Sequence, residues 1–164
     1  MNEQDRSLAE AVLRRLCEGA QVDGVRFGPV LQLLISDHGS GKPPIRGQVY
    51  LNLSSQWALY EPSGPLPSSG TQLPALTQDE ALRVLCSIRE KVIDKVELAA
   101  DTPHLRLTLE DGSVLFVNGE DPQYEPWDLG VAFGDPSEVW MVVARPGGDL
   151  AIWAPQHFFE SRAG

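Results

Sequence analysis

The chain has 164 residues, of which 42% are hydrophobic and 22% charged, an apolar inventory that supports a folded core and excludes a disordered chain. Its formal net charge of −10 repels the phosphates of nucleic acids and of anionic membranes. The longest apolar stretch, VWMVVA at 139–144, is far too short to span a bilayer. The opening MNEQDRSLAE lacks the basic and apolar regions of a secretory signal, so a cytoplasmic location is expected. Two cysteines without Cys-x-x-Cys spacing give neither a disulfide framework nor a zinc site.

A first helix is expected from Ser7, where Ser7-Leu-Ala-Glu10 has the spacing of a capping box, with Leu8, Val12, Leu13 and Leu16 as its apolar stripe and Gly19 as its stop. The period then changes to two. Leu31, Leu33 and Ile35 alternate, as do Val49, Leu51 and Leu53, and each run reads as a strand. Between them lies SDHGSGKPPIRG at 36–47, which looks at first like a phosphate-binding loop. That motif requires glycine where Ser36 stands, a hydroxyl residue where Pro43 stands, and a helix where the alternating IRGQVYLNL follows. The segment reads instead as a long hairpin connection.

EPSGPLPSSGTQLPAL at 61–76, rich in Pro, Ser and Gly, reads as a linker. A second helix is expected from the capping box Thr77-Gln-Asp-Glu80, with Ala81, Leu85, Ile88 and Val92 as its stripe. Leu105, Leu107 and Leu109 alternate up to Asp111-Gly112, a strong hairpin signal. A two-residue turn there sets Leu109 opposite Val114 and Leu107 opposite Phe116. A last hairpin reads VWMVVA, turn RPGG, strand DLAIW, with Trp140 and Trp153 closing the core.

Four short matches recur in the same order at offsets of 69 to 74 residues: EAVLRRLC with EALRVLC, DGVRF with DKVEL, LQLLI with LRLTL, and WAL with WDL. The expected fold class is therefore α+β. Two related helix-plus-antiparallel-meander halves, 1–75 and 76–164, pack their apolar sheet faces together into one compact domain. Cys17 and Cys86 then sit at equivalent helix positions as small buried residues.

Charge separates the halves. Residues 1–75 hold six Lys/Arg against seven Asp/Glu, whereas residues 76–164 hold seven against sixteen. Between 107 and 144 there are eight acids and no Lys or Arg. His38, His104 and His157 show no metal-ligand spacing and read as surface or loop residues, the serines lack a nucleophile elbow, and no carboxylate pair stands out. No catalytic residue, metal or cofactor is expected. The most distinctive run is YEPWDLG at 124–130, in which Trp127 reads either as a core plug or as an exposed anchor.

The motifs Asp111-Gly112, Tyr124-Glu125, Trp127, Leu129, Pro146-Gly147-Gly148, Leu150 and Trp153, spread over 105–153, resemble the C-terminal half of a small bacterial family of unknown function. Leu109 stands where that pattern usually has Phe. The resemblance implies a bacterial, non-membrane protein and brings no catalytic residues. By analogy with compact acidic immunity proteins, the expected function is non-catalytic capture of a basic protein, such as a toxin. The expected contact residues are Glu120, Asp121, Tyr124, Glu125, Trp127 and Asp128. Self-association into a homodimer through a sheet edge is the second reading, and a carboxylate-based hydrolase the third.

Overall fold

A computed structural model describes residues 1–67 and 73–163. Helix α1 spans Glu3–Cys17 and is followed by strands β1 (Gln21–Arg26), β2 (Leu31–Ser36), β3 (Gln48–Leu53) and β4 (Trp57–Tyr60). Helix α2 (Gln78–Ser87) then precedes β5 (Ile93–Leu98), β6 (Leu105–Leu109), β7 (Val114–Val117) and β8 (Trp127–Ala132). A hairpin of β9 (Met141–Arg145) and β10 (Asp149–Trp153) and a short helix α3 (Gln156–Ala163) follow. Part of the linker expected at 61–76, residues 68–72, lies outside the described residues. The fold is α+β, and every strand pairing is antiparallel.

The strands form two sheets, in the orders β1-β2-β3-β8-β9-β10 and β4-β7-β6-β5. Each helix is thus followed by a three-strand meander, and the fourth strand crosses to the other meander's sheet. β4 joins β7, with Trp57 opposite Val117, and β8 joins β3, with Trp127 opposite Leu53. The segments 1–75 and 76–164 therefore interlock and do not stand as separable layers. Inward side chains of both sheets, with α1 and α2, form one continuous buried cluster.

The meanders touch through their first strands. Gln21 of β1 bridges Val92, just ahead of β5. Four hydrogen bonds surround the bridge in matched pairs. Gly19 N–H donates to Ile93 O at 2.8 Å while Glu90 N–H donates to Val22 O at 2.7 Å. Val22 N–H donates to Lys91 O at 3.0 Å while Ile93 N–H donates to Ala20 O at 2.8 Å. Gly19 and Glu90 both take positive φ, 79° and 69°, and β1 and β5 each carry an irregularity after their second residue or first residue, between Val22 and Gly24 and between Ile93 and Lys95.

Local chemistry corrects several sequence expectations. α1 starts at Glu3, because the Asn2 side chain accepts from Asp5 N–H at 2.8 Å and caps the helix a turn before Ser7. α2 starts as expected, with both bonds of the Thr77–Glu80 box formed. It ends at Ser87, so Val92 lies beyond it. The β6–β7 turn holds three residues, with Leu109 N–H donating to Ser113 O at 2.8 Å and Gly112 at φ 81°. That longer loop places Leu107 opposite Leu115 and turns Phe116 to the other face, since one residue of slip inverts a strand's faces. Cys17 is buried but Cys86 is exposed, so the two do not share an environment. Trp140 is buried, whereas Trp153 is 46% exposed and does not close the core. His104, read as a surface or loop residue, lies in the loop before β6 but is 2% exposed.

The glycine–lysine segment joins β2 to β3 and serves α1. Gly39 and Ser40 N–H groups, which a bound phosphate would need, donate to the Asp37 carboxylate at 3.0 and 2.8 Å. With the Ser40 hydroxyl, they hold that carboxyl down at about 2. Lys42 Nζ donates to the C=O of Arg14, at 3.0 Å, and of Glu18. A cation there complements the negative end of the helix dipole.

Candidate binding surface

Four of the expected contact residues lie on the crossover from β7 to β8 and two on β8 itself, and the chain is pinned tightly where it leaves the four-stranded sheet. Asn118 N–H donates to Gln56 O at 2.9 Å, and its side chain bonds both the C=O and the N–H of Glu120. Gly119 N–H donates to His104 Nδ1 at 3.0 Å. A Cβ on Gly119 would sit 2.1 Å from Pro103 O, so only glycine fits. Trp127, wholly buried, donates its indole N–H to that same Pro103 O at 2.8 Å. Of the two readings of Trp127, this is the core plug. It positions the crossover and presents no surface of its own.

Above these anchors the loop turns outward. The Asp121 carboxylate accepts from the N–H groups of Gln123 and Tyr124, both at 2.8 Å, and these bonds hold its carboxyl below the usual aspartate range. Tyr124 is 72% exposed, and Glu120 and Glu125 are exposed beside it in the chain. Asp101, Glu120 and Asp121, with Gly147 and Gly148, line a hollow of about 360 Å³. Glu120 Oε2 lies 3.9 Å from His104 Nε2. Burial pushes the His104 pKa below its ordinary value, Glu120 pulling the other way.

Asp128 occupies a different surface. It lies on β8 opposite Asn52 of β3, half-buried, on the face of the six-stranded sheet turned away from the core. Asn52 Nδ2 donates to both its carboxylate oxygens, at 2.9 and 3.0 Å, and Tyr50 donates a further bond. Burial, reinforced by Glu125, raises its pKa despite those bonds. Gly130 makes room for the Tyr50 ring, because a Cβ there would lie 3.1 Å from Tyr50 Oη.

The six expected residues thus divide. Glu120, Asp121, Tyr124 and Glu125 share the crossover, Asp128 faces out from the sheet within electrostatic reach of Glu125, and Trp127 is interior. The sequence reading missed Tyr50 and Asn52. Their signal was available in the alternation of β3, where Val49, Leu51 and Leu53 take the inner positions. Among the described residues, Asp121, Glu125 and Asp128 have no Lys or Arg within ion-pair distance, whereas Asp111 is paired with Lys91. No group of three or more His, Cys, Asp or Glu among the described residues is arranged to hold a metal ion, and no helix among them is long and apolar enough to cross a membrane.

Residues 13–154 match the family of unknown function DUF6188. The chain belongs to that family. The match takes in the last turn of α1 and all of β1 through β10, so the bridge between the meanders and the crossover both fall within the family's shared region. No curated protein and no solved structure matches the chain.

Proposed function

We propose that this member of DUF6188 is a non-catalytic binding protein, resident in the cytoplasm, that captures a basic protein in the manner of an immunity protein. The observation that carries the reading is the crossover with the sheet face next to it: Asp121 and Glu125 on the crossover and Asp128 on β8 lack cationic partners among the described residues, and Tyr124 is 72% exposed. Uncompensated acids accelerate encounter with a cationic surface, and an exposed aromatic on a rigid base supplies contact area at small entropic cost. Affinity capture from bacterial lysate at low salt tests it. Basic proteins released by salt should be enriched on the wild-type chain and depleted on a Glu120→Lys/Glu125→Lys variant. Equal recovery on both would contradict the reading.

A homodimer is the second reading, favoured by Trp153, 46% exposed on the edge strand β10. The charge of −10 opposes it, and sedimentation at micromolar concentration discriminates. The same proposal takes the two helix-plus-four-strand runs as copies of one ancestral unit, supported by the matched hydrogen bonds about Gln21 and Val92.

A further inference from the structure

The outer face of the six-stranded sheet carries a polar centre that no other part of the described chain uses. One row of side chains crosses it in register: Arg26, Gln32, Asn52, Asp128, Val143 and Ala151. The adjacent row brings Tyr50 and Gly130 into line with Met141 and Trp153. Tyr50, Met141, Val143 and Trp153 all lie outside the core cluster. In the middle of the first row stands a carboxylate without a cation. Asn52 Oδ1 and Gln32 Oε1 are buried and have no hydrogen-bond partner, and Asp128 has no Lys or Arg within ion-pair distance among the described residues. Arg26, at the row's far end, has its guanidinium 5.7 Å from the centre of the Phe133 ring.

Resting on the basic-partner reading above, we propose that this face docks a protein segment bearing an arginine, whose guanidinium binds the half-buried Asp128 carboxylate. The charge complementarity is specific in kind. A guanidinium offers five N–H donors in one plane and no acceptor, which suits a carboxylate. It also stacks on aromatic rings, and Tyr50 stands over Gly130 beside the carboxylate. Asn52 and Tyr50 hold the Asp128 carboxylate in place, so little ordering remains at the moment of binding. A second copy of this chain would bring another net charge of −10 to the same face, and a neutral apolar segment would cover the Asp128 carboxylate without a cation at a cost.

Titration of the isotope-labelled full chain with hexa-arginine and hexa-lysine peptides at low ionic strength tests the proposal by nuclear magnetic resonance. Hexa-arginine should shift the Asn52 side-chain amide, the Asp128 backbone amide and the Trp153 indole, and should bind more tightly than hexa-lysine. Asp128→Asn should weaken hexa-arginine about tenfold, the scale of one hydrogen bond to a charged group, with unchanged dispersion of the core amides reporting an intact fold. Glu120→Lys/Glu125→Lys should leave the shift at Asn52 in place. Shifts confined to residues 120–125 would overturn the sheet site while leaving capture of a basic partner standing. Binding of neither peptide anywhere would overturn both. Concentration-dependent shifts of the same sheet residues without peptide would assign the face to a second copy and overturn the proposal.

Discussion

The outer faces of the two sheets are built on the same pairing and finished differently. In each, a third meander strand pairs with a fourth strand that has crossed over, and the residue after the leading tryptophan points outward. On the four-stranded sheet that residue is Ala58, opposite Phe116. Phe116 is fully buried, with Tyr60 edge-on at 6.4 Å, the His104 ring at 5.2 Å and the Arg106 guanidinium at 6.0 Å. On the six-stranded sheet the corresponding residue is Asp128, opposite Asn52. One face is sealed by its own side chains. The other keeps a half-buried carboxylate, and evolution tolerates such a cost where a site needs it. The contrast teaches that the acidic character of residues 107–144 matters less as a total than at the one position where charge sits on a sheet.

Placing a carboxylate on the sealed face breaks the comparison most severely. Ala58→Asp would force a carboxylate into the packed face against Phe116, and urea unfolding should record a loss of about 4 kcal/mol. Next comes the crossover. Gly119→Ala forces a Cβ onto Pro103 O and should cost about 2–3 kcal/mol. Ser55→Ala, at the corresponding point before β4, removes the 2.6 Å bond to Asn118 O and a longer one, 3.4 Å, to Gln56 O and should cost about 1 kcal/mol. Around the bridge between the meanders, Glu90 bears a side chain at φ 69°, where its counterpart is Gly19 at 79°. Glu90→Gly should therefore raise stability by about 0.5–1 kcal/mol, read as a higher denaturation midpoint. The smallest perturbation is chemical labelling. Native protein should react with a thiol reagent at Cys86 alone, since burial raises the Cys17 thiol to about 12, and denaturant should expose the second thiol.

Much of the fold was legible because period and caps are local. The Thr77–Glu80 box and the alternations at 31–35, 49–53 and 105–109 all lie in the expected elements. What escaped was long-range. Nothing within 57–60 or 127–132 announces that these strands leave their own meanders, because that choice is decided by partners 54 or more residues away in the chain, such as Val114 for Tyr60. The Asp111-Gly112 turn was recognised, but its third residue was not, and that residue carries Phe116 from the inner to the outer face. Trp127 was visible as distinctive, yet its depth depends on Pro103, which precedes it by 24 positions. The acidic crossover was found by composition. Asn52 was missed because an asparagine on an alternating strand looks like ordinary solvent-facing polarity.

The direct test of a costly carboxylate on the open sheet face is the pH dependence of stability for the wild-type chain and Asp128→Asn. Burial raises the Asp128 pKa in the folded state, so the folded chain holds that proton to higher pH than the unfolded chain does. Stability contributed by the protonated form is then present at low pH and lost as pH rises from the unfolded value through the folded one. Near neutral pH the asparagine variant should be the more stable, and its advantage should shrink as pH falls through the aspartate range. A wild-type chain more stable than the variant at neutral pH would contradict the account.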